Sequence, residues 1–244
     1  WARFPMYRDW LNECPECTDG IILTDVRDVY WQRDPFTTAG KLGMEHNLMV
    51  FEEIFPALDT THWLTKFPVD QCKKFNFGKT PMLCSGSVMG SREGIIDYVN
   101  TMVEEFDVWI KDENCRIDLV GDDQSVHNYL YYAGKLEGAV AIPYRTGPVH
   151  VVGWIANKMW RIAEEQAKKE NRIANNFYLH DDIYQEWLPQ QYEFIDPETG
   201  LILNLDGSPS AQVHQVDRFG TLNLRWLQKM RDDDWPYNKE QNNA

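Results

Sequence analysis

The sequence predicts an α/β protein, a single domain with a mostly parallel central sheet flanked by helices. Three observations carry that expectation. Short apolar runs ending at acidic or small residues recur along the chain, segments with helical spacing of apolar residues stand between them, and hydrophobic residues make up 43% of the 244. Runs of the first kind read as buried strands and segments of the second as helices with one apolar stripe. Their alternation favours parallel strands joined by crossovers. The apolar content suffices for a core, and the length is within what one α/β domain can fill.

In chain order, Phe4 to Leu11 has helical spacing, Cys14 to Gly20 is a loop, and Ile21-Ile22-Leu23-Thr24 is a buried strand that runs into acidic residues. Leu48-Met49-Val50-Phe51 is a second strand. Pro81 to Cys84 is a third, ending where Ser85-Gly86-Ser87 begins. Ile95, Ile96, Val99, Met102, Val103 and Phe106 form one stripe on a helix from Ser91 to Lys111. A second helix starts near Asp123 and carries Val126, Leu130 and Tyr131. A third covers Ile155 to Glu170, with acidic residues ahead of basic ones. Gly200 to Gly207 alternates apolar and polar residues into a turn at Asp206-Gly207. That pattern predicts a hairpin of Leu201–Leu205 with Ala211–Val213 and leaves His214 at a strand end. The domain therefore spans 1–231, and 232–244, opening on Asp232-Asp233-Asp234, is a loosely held polar tail.

A formal charge of -14 with no basic cluster argues against nucleic acid as a partner, because such binding depends on Lys and Arg neutralising phosphates. A neutral or cationic partner fits better. No run approaches the roughly 20 apolar residues that cross a bilayer, so no membrane span is expected in this chain. The chain opens at Trp1 inside what reads as an amphipathic helix, which is compatible with a piece of a longer protein. Five cysteines form at most two bridges within the chain. Cys14-Pro15-Glu16-Cys17 has the spacing of half a zinc site or a redox pair. No second pair follows it, which favours a surface disulfide or plain thiols. The odd count is compatible with a secretory lumen, such as the Golgi, or with a reducing cytoplasm.

Chemistry gathers first in Ile21-Ile22-Leu23-Thr24-Asp25-Val26-Arg27-Asp28-Val29-Tyr30-Trp31, where a buried strand is followed by two carboxylates. Open α/β folds place their ligands at such carboxyl ends, and oxygen ligands suit Mg²⁺ or Mn²⁺. The plainer reading of the same residues is a pair of turn-capping acids.

This segment, continued by Gln32-Arg33-Asp34-Pro35-Phe36, resembles the D-x-D region of GT-A fold glycosyltransferases, although the acids here are D-x-x-D. Three later segments extend the resemblance in family order. Cys84-Ser85-Gly86-Ser87-Val88-Met89-Gly90 looks like the small-residue segment beside the donor sugar. Gly121-Asp122-Asp123-Gln124-Ser125 resembles the helix start that faces the anomeric carbon and acceptor in glycogenin-like members. Asn204-Leu205-Asp206-Gly207, followed by Val213-His214-Gln215-Val216-Asp217-Arg218, resembles the late H-Q-x-D-R element.

The resemblance implies a GT-A-like domain that moves a sugar from a UDP- or GDP-linked donor to a glycan or glycoconjugate hydroxyl, assisted by Mn²⁺ or Mg²⁺. It implies Asp25, Asp28 and His214 as metal ligands, and Arg27, Ser85, Gly86, Ser87, Asp217 and Arg218 as substrate contacts. Asp122, Asp123 and Gln124 take the catalytic positions, with Asp122 or Asp123 as general base if the enzyme inverts and the same acids positioning the sugar if it retains. His150, in Val149-His150-Val151-Val152-Gly153, competes with His214 for the metal, since glycogenin-like enzymes carry a histidine in a similar H-x-x-G setting. Two other readings stay open. A haloacid-dehalogenase-type Mg²⁺ phosphohydrolase also ends an early strand with an Asp pair, but with acids two apart, and an inert glycan-binding module could keep the same fold.

Overall fold

The computed structural model describes residues 2–36, 47–56, 75–112, 122–153, 165, 168–170, 194–196 and 199–219. Backbone contacts divide the chain into two compact units, one of Trp1–Thr24 with Phe36–Tyr144 and one of Asp25–Pro35 with Arg145–Ala244. The class is mixed α/β, with two sheets and three helices among the described residues. No helix there is long and apolar enough to cross a membrane.

In the first unit, β1 (Ile21–Thr24), β3 (Leu48–Pro56), β4 (Pro81–Gly90) and β5 (Ala139–Ile142) form one sheet in the order β1-β4-β3-β5. Only β3 and β5 run parallel, and β4 is antiparallel to both of its neighbours. The sheet is therefore mixed, not mostly parallel. Crossover connections were inferred from the alternation of strands and helices, but here β4 reverses direction between β1 and β3, and no pattern along one strand reports its partner's direction.

The third predicted strand does not stop at its small polar residues. β4 continues through Ser85-Gly86-Ser87 to Gly90, still pairing with β1 at Thr24↔Ser87. On the β3 side the register jumps from Val50↔Val88 to Phe51↔Cys84, so those three residues form a bulge. A bulge keeps a strand in its sheet while bending it and turning local side chains.

Helix α1 (Arg3–Glu13) packs on α2 (Arg92–Lys111), with the Phe4 ring edge-on to Tyr98 at 6.1 Å and tilted on Phe106 at 5.8 Å. The α2 stripe runs through Ile95, Val99, Met102 and Phe106, all essentially inaccessible. Its start is set by Ser91, whose Oγ accepts the Gly94 N–H at 3.1 Å, as an N-cap should. Gly94 is required there, because a β-carbon would overlap the Asn47 carbonyl oxygen. Helix α3 (Asp122–Tyr132) packs on β4, where the Asn128 side chain accepts the Leu83 N–H at 2.9 Å and donates to the Leu83 carbonyl at 2.8 Å. Cys14 and Cys17 form a disulfide just after α1, one of the two outcomes their spacing left open, and Cys84 is a buried thiol. Cys72 and Cys115 lie outside the described residues.

The second unit carries β2 (Val29–Trp31), β6 (Val149–Val151) and β7 (Gln212–His214), ordered β2-β7-β6. The β2–β7 pair is antiparallel and the β6–β7 pair parallel. The Asp206-Gly207 turn forms as expected. Gly207 takes φ 82°, which glycine tolerates best, and Asp206 Oδ1 accepts the Ser208 N–H at 2.9 Å. Its arm is shorter than expected: Leu203 bridges Pro209, and Gln212 and Val213 pair instead with β2 and β6. Most of the predicted helix over 155–170 and all of the 232–244 tail lie outside the described residues.

Candidate metal centre

Asp28 immediately precedes β2 and His214 closes β7. The antiparallel register Val29↔His214 brings these two distant stretches of chain together. Main-chain hydrogen bonds hold both ends. The Val216 N–H donates to the Asp28 carbonyl at 3.1 Å, and the Val152 N–H donates to the His214 carbonyl at 3.0 Å. The imidazole of His214 is buried, the Asp28 carboxylate nearly so, and Asp25 is about one third exposed, its side chain 36% accessible. His214 Nε2 lies 3.5 Å from Asp25 Oδ2 and 3.6 Å from Asp28 Oδ1. One ligand atom from each of the three residues lies within 4.8 Å of the other two.

Two ligand atoms on one hard cation at about 2.1 Å stand roughly 3 to 4 Å apart, so the two histidine-to-carboxylate distances suit a shared ion. Two carboxylate oxygens and one imidazole nitrogen form a donor set that Mn²⁺ accepts readily and Mg²⁺ tolerates. This is the one such group among the described residues. Burial raises the Asp28 pKa, but the neighbouring His214 imidazole outweighs it; Asp25 pushes up, Arg27 pulls down, and the net shift is below the usual carboxylate range. Asp28 is therefore an anion at neutral pH, the form that binds a cation.

Other residues expected at a site fall in both units. In the second unit, the Arg27 guanidinium stands 3.5 Å from Asp217 and is largely exposed. Asp217 and Arg218 lie on a 3-10 turn, Val216–Phe219, directly after β7. His150 sits on β6 opposite Val213, fully buried, with its ring 5.7 Å from that of Phe194. Burial, with the charge of Arg145, lowers its pKa to about 3. It is not one of the three grouped residues.

In the first unit, Ser85, Gly86 and Ser87 are the β4 bulge, and α3 is latched to it. Gln124 Oε1 accepts from the Ser85 N–H at 2.9 Å and from the Ser85 hydroxyl at 2.8 Å, while its Nε2 donates to the Leu83 carbonyl at 2.5 Å. Both ends of that amide are thus engaged with β4. Arg3 was not singled out by the sequence, yet its Nη2 donates to Asp123 Oδ2 at 2.5 Å and to the Ser85 carbonyl at 3.1 Å. Nothing in the periodicity of α1 marks that position, because the pairing spans 120 residues. Asp122 is the first residue of α3.

The fold and the grouped residues define a mixed α/β protein with a candidate divalent-metal centre. No protein-family model matches the chain, and no curated protein matches it significantly.

Proposed function

We propose that this protein is a metal-dependent glycosyltransferase of the GT-A type, moving a sugar from a UDP- or GDP-linked donor to a glycan or glycoconjugate hydroxyl. One observation carries the reading. The three residues that the resemblance assigns to the metal, from segments far apart in sequence, have ligand atoms within 4.8 Å of one another. A divalent ion held by such a donor set can neutralise the charge of a diphosphate.

Bound Mn²⁺ or Mg²⁺ would supply Lewis-acid stabilisation of the charge that develops on the leaving diphosphate. The chain's own residues do the rest. Asp28 and His214, buried and pinned by main-chain bonds, form the rigid side of the centre, and the partly exposed Asp25 forms its open side. Arg27 offers an exposed guanidinium for phosphate oxygens, oriented by Asp217. Asp122 and Asp123 are the acids proposed to act on the acceptor hydroxyl or to position the sugar, with Arg3 fixing the Asp123 carboxylate.

Calorimetric titration of UDP and GDP sugars, with and without Mn²⁺, into wild type and Asp28→Ala tests this. The expected result is metal-dependent binding of one donor, weakened at least 10- to 100-fold in the mutant, roughly the loss caused by removing even an outer-shell partner of a metal ligand. Turnover of a phosphomonoester without binding of any nucleotide sugar would overturn the transferase reading in favour of a phosphohydrolase.

A further inference from the structure

Among the described residues, two that are not glycine hold a left-handed backbone, Arg145 at φ 62° and Gln215 at φ 65°. Such a residue is strained and persists only where its surroundings demand it. Arg145 has a local account: its carbonyl accepts the Leu205 N–H at 3.0 Å, and its guanidinium lies 3.5 Å over the Phe194 ring.

Gln215 stands elsewhere. It is the single covalent joint between His214, the last residue of β7, and Val216, whose N–H donates to the Asp28 carbonyl. An extended residue 215 would carry β7 onward beside the chain that precedes Val29. The left-handed turn instead ends the strand at His214 and swings Val216 onto Asp28. It also starts the Val216–Phe219 turn, whose Asp217 meets Arg27. One backbone conformation therefore joins the orientation of His214 to the position of Asp28.

We infer that Gln215 is a positioning residue: within the register that pairs β2 with β7, its left-handed backbone turns the Val216 N–H onto the Asp28 carbonyl and so fixes Asp28 beside His214. The inference rests on the metal-centre reading for its consequence in binding, but its geometric content can be read without any metal. Three substitutions separate backbone from side chain. Q215G frees the left-handed region and Q215A keeps the original backbone preference, both without the amide. Q215V places a β-branched residue where it is an outlier.

Two readouts are needed: hydrogen exchange of the Val216 amide in the metal-free protein, and Mn²⁺ affinity by calorimetry. Q215G and Q215A are expected to stay within about threefold of wild type in both. Q215V should exchange at Val216 about tenfold faster and bind Mn²⁺ about tenfold more weakly, with the Val99 amide of α2 protected as in wild type. Unchanged Val216 exchange in Q215V overturns the inference. So does a tenfold loss in Q215A or Q215G, which would assign the role to the side chain. Should Q215V not fold, that last pair of variants decides. If wild type binds no Mn²⁺, the metal reading fails and Val216 exchange alone judges the backbone role.

Discussion

The two units bury polar groups to different ends. In the first, the largest sealed side chains are apolar, namely Phe4, Phe51, Leu83, Met89, Ile95, Phe106 and Trp109, while the polar groups buried among them, such as Glu105, His127 and Asn128, fasten helices to their neighbours, Asn128 holding α3 to the Leu83 backbone. In the second, the three-residue strands themselves carry buried His150, Gln212 and His214, and Gln32, Asn204 and Ser210 are buried as well. Apolar packing is forgiving of detail, whereas each buried polar group needs a partner in a particular direction. The first unit is therefore expected to rest on area and shape, and the second on satisfied hydrogen bonds.

Truncating the apolar interior should give the largest effect. Trp109→Ala removes a fully buried ring and its 2.7 Å hydrogen bond to Glu105, and is expected to cost about 3–5 kcal/mol, read from the urea midpoint. The matching change in the second unit is Gln32→Leu, which keeps the volume but removes the amide. That amide accepts the Ile202 N–H at 2.8 Å and donates to the Ile202 and Ser210 carbonyls at 3.0 and 2.9 Å. The loss should be about 2–3 kcal/mol, mostly for the stranded Ile202 N–H. A near-neutral Gln32→Leu would break the contrast drawn between the units.

Acid sharpens it further. His127 in the first unit and His150 in the second are both fully buried, and burial together with a nearby arginine lowers each pKa to about 3. The unfolded chain binds a proton on each near pH 6.5, so stability is full above that value and falls as the pH drops towards 3. Each contributes a slope of up to about 1.4 kcal/mol per pH unit. His127→Gln should remove its share from the acid-unfolding curve, provided the glutamine still meets Tyr98 Oη, which lies 2.9 Å from His127 Nδ1. An unchanged slope in that variant would mean that His127 is protonated in the folded state.

Much of the first unit was legible because its signals are local. The α2 stripe repeats over a 20-residue helix, Ser91 stands at its cap, and β1 and the start of β3 are continuous apolar runs. The candidate metal residues were legible in a different way, through the resemblance of separate segments, which identified Asp25, Asp28 and His214 without any physical account of how they meet.

That account belongs to β2 and its register. A strand of three residues is too short to show a period, and Val29-Tyr30-Trp31 reads equally well as a continuation of the acidic loop. Local sequence set the helices at Phe4 to Leu11, Ser91 to Lys111 and from near Asp123, the apolar face of α2 and the Asp206-Gly207 turn, because each depends on residues a few positions apart. Only the tertiary structure decided that β4 runs antiparallel to both neighbours, that Ser85–Ser87 bulge, and that Val29 faces His214. Strand direction and register are chosen by hydrogen bonds between residues far apart in the chain, and a backbone donor looks the same in every residue that carries one.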